Sequence, residues 1–458
     1  MRRCAAVICA VLLTVSVCAC GKKTETKRYK MNPTIATTTT TVPTVDYNEE
    51  PGKAPLKLTY ATSFSDGVAF VRYLDEEGIE HAAAINTAGD ILFEMPEEMP
   101  MDGDGYKGGI RVVGDVIYDK TGAVIASPEK SGYDSLMTGS CGGYVLAKKV
   151  EVPVSLPEQP AINAAPADTT AAVDTTGTSG VEVPVIPVIP AATLYVGVLN
   201  NKGEWLHPLS TEHPIAKAIS ASAQPAEAFQ YVTEDVLRVY VDGTTPQQYY
   251  HFTKNTLTPE YDHYVSVGHQ VEETAGVYKM AADGSKKLVV ENILGDYFFS
   301  DAFIGRTVTV SIEPGAEPAY GPFKLYDYKG QELMDLGAYS LGKEYAYYVA
   351  DHLVLPTTDQ AGSRMLVVLN KEGQPAFEPL LLGMRDVCYP PDESGFVVGS
   401  YTADGAVSYR HYDYSGTVTE YSDVTSFAGF FEGLAVATLR GDSLQYYYIN
   451  HRGEIVLR

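Results

Sequence analysis

One short pattern recurs along this 458-residue chain and restricts its fold more than any other feature: a run of β-favouring residues, then Asp or Asn, two further residues, and Gly. It stands as NTAG (86–89), DKTG (119–122), NNKG (200–203), DYKG (327–330), NKEG (370–373), DYSG (413–416) and NHRG (450–453), after runs such as AAAI, YVGVL, FKLY, MLVVL and YYYI. Asp or Asn starts a turn by bonding nearby backbone, and Gly supplies positive φ without steric cost. Gly89, Gly122, Gly203, Gly330, Gly373, Gly416 and Gly453 are therefore expected to be structural turn residues. Two weaker copies, ADG at Gly284 and TKN at Asn255, complete a series of nine. Asn is among the residues that best tolerate the left-handed conformation after Gly.

Gly330, Gly373 and Gly416 are 43 residues apart, and the longer gap from Gly122 to Gly203 matches once the low-complexity stretch at about 152–192 is set aside. A period of about 40 residues holds three or four strands of typical length with their turns. Composition agrees: 33 Tyr against one Trp, with 41 Gly and 27 Pro, favours pleated surfaces punctuated by turns. The two ends of the chain also match, FSDGVAF…AAINTAGDI at 64–91 and FFEGLAV…YYINHRGEI at 430–455. Such equal β units signal a repeat protein, and radial closure suits them because the last blade then meets the first. The expected fold is all-β, a single β-propeller of about seven to nine blades. Eight fits best, with one weak unit near 255 or 284 shared between blades or absorbed at the seam. An open β-solenoid-like array and two smaller β domains are the alternatives. Closure would bring Leu56–Tyr60 and Glu454–Leu457 into the same or adjoining blades.

The N-terminus indicates the compartment. Arg2 and Arg3 precede an apolar run from Ala5 to Val17, the order of an export signal and too short to span a membrane. The run closes on VCAC and polar GKKTETKRYK follows, which resembles a bacterial lipobox with Cys20 as the lipidated residue. Residues 1–19 then form a Sec-type lipoprotein signal peptide, and 20–55 a lipidated cysteine with a Thr/Pro-rich spacer. Residues 56–458 form the β-repeat domain, tethered to the outer face of the bacterial cytoplasmic membrane. The stretch at 152–192 has Pro every few residues, which forbids a central strand or a helix, and reads as a loop inserted into one repeat or else as a linker. Beyond the signal and Cys20, Cys141 and Cys388 remain; they either pair or are small buried hydrophobes, and burial is favoured.

Units of the form F-x-[DE]-G-[LV]-A followed by a strand ending Ile-Asn-x-x-Gly resemble the WG-repeat family of bacterial proteins, best at 64–93 and 430–458. The Trp-Gly pair that names the family is absent, with Ala83-Ala84 and Tyr447-Tyr448 at its expected place. The resemblance implies no catalytic residues.

Chemistry is sparse. A net charge of −24 without a basic stripe excludes nucleic acid as a partner. The nine histidines are scattered, no HExxH, GxSxG or phosphate loop occurs, and SPEK at 127–130 lacks the companions of an SxxK site. No cofactor is expected. MDGDGYKGG offers Asp102 and Asp104 as oxygen ligands for calcium, although a plain loop explains the pair as well. Tyrosines cluster in QYYHF, YAYYV, YRHYDY and YYYI. Tyr249, Tyr250, the pair at 346 and 347 (Ala346 and Tyr347), Tyr412, Tyr414 and Tyr447 are the candidate binding positions, since exposed rings stack on sugars or grip peptides. Alternation along a strand turns half of them inward. The functional expectation is a non-enzymatic binding or scaffolding module for a protein or a cell-envelope glycan. The alternatives are an enzyme of polysaccharide or peptidoglycan metabolism with acids in the propeller channel, and a purely structural envelope protein.

Overall fold

The computed structural model describes residues 56–96, 99–101, 103–152, 192–222, 228–241, 246–268, 273–309, 317–341, 346–359, 361–401 and 405–457. Residues 1–55, with the expected signal peptide, Cys20 and the expected spacer, and Asp102 and residues 153–191 lie outside them. Among the described residues are nine antiparallel sheets, spanning 57–94, 110–126, 135–210, 228–258, 263–291, 293–335, 340–381, 387–421 and 424–457. Sheets 2 and 5 have three strands, sheet 7 has five and the rest four. The strands pair in chain order except in sheet 7, where the first two short strands both pair with the third; the sheets are thus meanders, and the nine form the blades of a propeller.

Residue alternation explains the ring. Along the second and third strands of sheet 1, Val71, Ala83 and Ile85 pack with Leu434, Val436 and Tyr448 of sheet 9. Their neighbours Phe70 and Ala84 point the other way, into Tyr118 of sheet 2 and Met99 and Tyr106 of the link leading to it. Each sheet thus buries both faces, and the core is a succession of layers between blades; equivalent layers join sheets 2 to 3, 3 to 4, 5 to 6, 6 to 7, 7 to 8 and 8 to 9. Sheets 4 and 5 meet through rings: Tyr249 of sheet 4 lies 4.8 Å from Tyr261 of the link, which stacks on His263 of sheet 5 at 4.2 Å. At about 1.5–3 kcal/mol per buried large apolar side chain, no blade is stable without its neighbours.

The first and last blades close the ring by contact alone, without sharing a strand. Tyr448 donates to the Thr62 carbonyl at 2.7 Å and its ring lies 4.9 Å from Phe64. Leu56–Tyr60 and Glu454–Leu457 accordingly sit in adjoining blades. The blade count is nine rather than the favoured eight. Neither weak turn is absorbed: the Asn255 turn closes sheet 4 with φ of 50° at Asn255, and the Gly284 turn closes sheet 5. At 281–284 Ala281 stands where the capping Asx would be, yet Gly284 still donates to the Ala281 carbonyl at 2.9 Å. Backbone geometry outlasts the loss of its side-chain cap.

The low-complexity stretch begins and ends in one hairpin. Val145–Glu151 and Thr193–Leu199 pair along their whole length, Glu151 opposite Thr193, so residues 153–191 leave and re-enter a single blade. Two short helices occur among the described residues, Pro128–Ser131 and Pro214–Ala221. None there is long and apolar enough to cross a membrane.

Candidate functional site

In a meander, successive turns fall at alternate ends of the sheet. The turns before the second and last strand positions therefore share one face of the ring, the turn face. The turns between second and third positions, and the links between blades, share the other, the loop face. The two faces are built differently.

All nine Asx-type turns lead into the last strand of a sheet and lie on the turn face. In seven, the first residue's Oδ1 accepts two backbone N–H groups, as at Asp327 (Lys329 at 2.9 Å, Gln331 at 2.8 Å) and Asn450 (Arg452 at 2.9 Å, Glu454 at 3.1 Å). These oxygens are consumed by the turn, so the acids form no ligand ring. The glycine does more than take positive φ. A Cβ at Gly122 would meet Phe93 at 2.5 Å, at Gly416 Phe377 at 2.8 Å, and at Gly453 Tyr421 at 2.8 Å. Gly203, Gly330 and Gly373 face Ile125, Val290 and Met334 in the same way, and Gly89 faces Leu457 across the seam. The residue lacks a side chain because the preceding blade's last strand fills the space.

In five of the nine turns the second residue is a connector that sequence reading missed. Lys120 of DKTG reaches Asp66 of the preceding blade at 2.9 Å, and His451 of NHRG reaches Asp392 at 2.6 Å. Asn201 of NNKG donates to the Gly108 carbonyl at 3.2 Å. Tyr414 of DYSG stacks on His352 at 4.4 Å and donates to the Asp392 carbonyl; Tyr328 of DYKG stacks on Tyr264 at 3.7 Å and donates to the Phe299 carbonyl. The acid of F-x-[DE]-G has the same purpose. Asp66 accepts the Gly109 N–H at 2.6 Å, and Glu432 accepts the Gly67 N–H at 2.8 Å across the seam.

The densest group of titratable side chains also belongs to this stitching. Asp392 Oδ1 accepts from Ser394 Oγ at 2.6 Å and from its N–H at 2.8 Å, while Oδ2 accepts from His451 Nε2. Burial alone would raise the Asp392 carboxyl, but the bonds from His451 and Ser394 together hold it well below the usual range. Ser394 Oγ lies 3.4 Å from His411 Nε2. Its proton is directed to Asp392, so His411 is no general base for it, and the Ser-His-Asp set is not a nucleophilic triad. Burial first, then the neighbouring His451, pushes the His411 imidazole down to about 4.

The tyrosine candidates are interior. Tyr250 is fully buried, donates to Asn255 Oδ1 at 2.8 Å and bonds His213 at 2.9 Å. Tyr249 is buried against Tyr261, and Tyr447 is buried and donates to Asp442 at 3.0 Å. Ala346 is buried between sheets 6 and 7, and Tyr347 packs in the layer between sheets 7 and 8. Tyr412 stacks on Phe396 at 5.4 Å, and Tyr414 is the connector described above. The structure brings none of them together as an exposed platform. Asp104 faces Lys107 at 3.8 Å and its carbonyl binds Arg111. Among the described residues no three His, Cys, Asp or Glu side chains converge for a metal ion. Cys141 and Cys388 form no disulfide with each other; Cys141 is buried, which pushes its thiol up to about 11, and Cys388 is half-buried.

Exposed apolar side chains occur on both faces, Tyr231 and Phe431 at turn-face hairpins and Ile79, Tyr320, Met384, Tyr401 and Leu444 on the loop face, where Met384 and Leu444 are the most exposed. Its loops vary widely, from the two-residue turn at 114–115 to the stretch at 153–191. The D-x-x-G motif occurs there too, as DEEG (75–78) and DQAG (359–362), with Asp75 and Asp359 capping in the same way. The motif specifies a turn, not a face.

No protein-family model matches the chain, and no curated protein matches it by sequence. Similar solved structures include the β-propeller domain of the trilobed protease from Pyrococcus furiosus, at 10% identity and TM-score 0.29, covering 81% of this chain and 99% of that one. A PL25 ulvan lyase is similar at 10% identity and TM-score 0.25, covering 89% and 95%. The acylaminoacyl peptidase of Pyrococcus horikoshii matches at 10% identity and TM-score 0.27 over 86% of this chain, which spans only 57% of that enzyme. At such identities and scores these likenesses carry no argument about function, and what can be said of this chain is that it is a nine-bladed β-propeller.

Proposed function

We propose that the protein is a binding module of the bacterial cell envelope, of WG-repeat type, held by a lipid on Cys20 at the outer face of the cytoplasmic membrane and engaging its partner through the loop face. The observation that carries this reading is the contrast between the faces. Turn-face polar groups are spent on stitching blade to blade, whereas the loop face has loops of unequal length and carries the two most exposed large apolar side chains among the described residues, Met384 and Leu444, together with Ile79, Tyr320 and Tyr401. Loops held by a rigid scaffold are where recognition is usually placed. The VCAC sequence and the spacer at 20–55 support the anchor. A protein partner suits the surface better than a glycan, because the clustered tyrosines that would have stacked on sugars are buried or half-buried in packing between blades.

A photo-crosslinking residue placed in turn at 79, 320, 202 and 452 of the full chain in cells tests the face. Adducts are expected in the membrane fraction from 79 or 320 and not from 202 or 452. Adducts only from the turn face would overturn the assignment. Cys20→Ala is expected to release the protein or block its processing, since stable anchoring takes more than one acyl chain. Unchanged mass and fractionation of that variant would remove the anchor.

A further inference from the structure

At one junction of the ring the blades are not joined as they are elsewhere. Layers of buried apolar side chains lie between sheets 9 and 1, 3 and 4, and 5 and 6. Among the described residues no such layer lies between sheets 4 and 5. On sheet 4, Leu237, Val239 and Tyr250 point to sheet 3, so alternation turns Val236, Arg238, Tyr249 and His251 to the other side. Of these only Val236 is aliphatic. On sheet 5, Val277 and Val290 point to sheet 6, which leaves Gly276 and Tyr278 for sheet 4. The polar groups on both sides bond within their own sheet. Arg238 Nη1 donates to Gln230 at 3.0 Å, Gln247 donates to the Tyr249 hydroxyl at 3.0 Å, and His251 bonds Thr258 Oγ1 at 3.0 Å. In the other sheet the Tyr278 hydroxyl donates to the Thr274 carbonyl at 2.7 Å, and Lys286 pairs with Glu273. None of these bonds crosses the junction, so none is lost if the sheets part. Turn-face stitching is weak here too. Ala282 stands at the turn position from which Lys120 and His451 reach the preceding blade, and a methyl cannot. Gly284 faces Pro259 of the link rather than a strand side chain. What bridges the two sheets is the link itself, where Tyr261 contacts both Tyr249 and His263.

We infer that the ring opens between sheets 4 and 5, ahead of the seam where the last blade meets the first. Each blade touches only its neighbours, so parting one interface of a closed ring costs that interface alone, and the weakest one sets where opening occurs. The seam is better joined although no strand is shared across it. Its layer holds Leu58, Val71, Ile85, Val436 and Tyr448, and it adds the Tyr448 bond to Thr62 and the Glu432 bond to Gly67. Opening between sheets 4 and 5 uncovers Tyr249 and His251, which are buried in the closed ring. The link at 259–262 holds the parted sheets together and acts as the hinge. This device is independent of the loop-face reading.

Opening is read by the rate at which a maleimide labels a buried thiol in the folded full-length protein, with the labelled site identified by peptide mass. Val236→Cys and Val436→Cys are a matched pair: both sit on the second strand of a sheet, at 7% and 8% exposure. Val236→Cys is expected to label at least tenfold faster than Val436→Cys, and faster than the native Cys141 in the layer between sheets 3 and 4. Equal rates, or faster labelling at 436, overturn the inference. If either variant fails to fold, hydrogen exchange of the unaltered chain decides. Strands within 236–251 and 276–291 are expected to exchange before those within 69–85 and 434–449, and a uniform or reversed order overturns the inference as well.

Discussion

On the turn face and the loop face of this ring, similar short hairpins do opposite things. The glycine of a turn-face motif is pressed against the preceding blade, and in five of the turns the motif's second residue reaches across to the same neighbour. Asp75 and Asp359 on the loop face cap turns whose Gly78 and Gly362 meet nothing within 4 Å. The local chemistry of the turn is the same. What differs is whether a second blade lies against it. A propeller of weakly similar units thus keeps one face for assembly and leaves the other to vary.

The largest test of this division is at the seam. Deleting 449–458 removes Ile449, the last strand and Leu457, which lies against Gly89. It also reopens sheet edges. Hydrogen exchange is expected to lose protection at both ends of the chain; loss confined to the last sheet would show that the seam contributes little to the fold.

Acid is expected to act next. His411 is buried on the turn-face side and His213 is buried between sheets 3 and 4, and in both burial lowers the imidazole to about 4. The folded-state value lies below the unfolded one, so between pH 6.5 and 4 the unfolded chain binds more protons and stability falls as pH falls. Each histidine accounts for about 3 kcal/mol across that window. Denaturant melts of wild type and His411→Gln at pH 7 and pH 4 should show the variant losing less on acidification. Equal losses would mean that His411 does not couple folding to pH.

Glycine substitutions sharpen the contrast at smaller cost. Gly416→Ala must crowd Phe377 as well as accept φ of 84°, whereas Gly441→Ala on the loop face has φ of 86° and open space. Strain alone costs about 1 kcal/mol, and the crowded site is expected to lose about 1–3 kcal/mol more. Equal losses in denaturant midpoint would show that blade contact is not the reason for glycine. Smallest is Leu444→Asp, expected to move stability by no more than about 0.5 kcal/mol because the side chain touches nothing it would leave.

Turn positions, the all-β class and the repeat were legible because each depends on residues near in sequence: an Asx oxygen, a positive φ, an alternation of period two. Asn255 and Gly284 were recognisable as turns for the same reason. The count was less legible, because whether a weak unit keeps its own sheet depends on what packs on it, and Phe252 and Val290, in layers shared with neighbouring blades, are what hold those two. The site was least legible of all. Tyrosine clusters drew the eye in sequence but fill the space between blades, while Met384 and Leu444 are single apolar letters in LLGMRD and GDSLQ without any local signature.

Sequence alone determined that this chain makes short strands joined by Asx-Gly turns at a period near 40 residues, because backbone conformation follows from nearest neighbours. Only tertiary structure decided that there are nine blades, that Lys120, His451 and Asp66 are clasps rather than ligands, and which apolar residues are left outside. Those outcomes depend on which residue from another blade arrives within contact distance, and that is set by closure of the ring rather than by any segment of it.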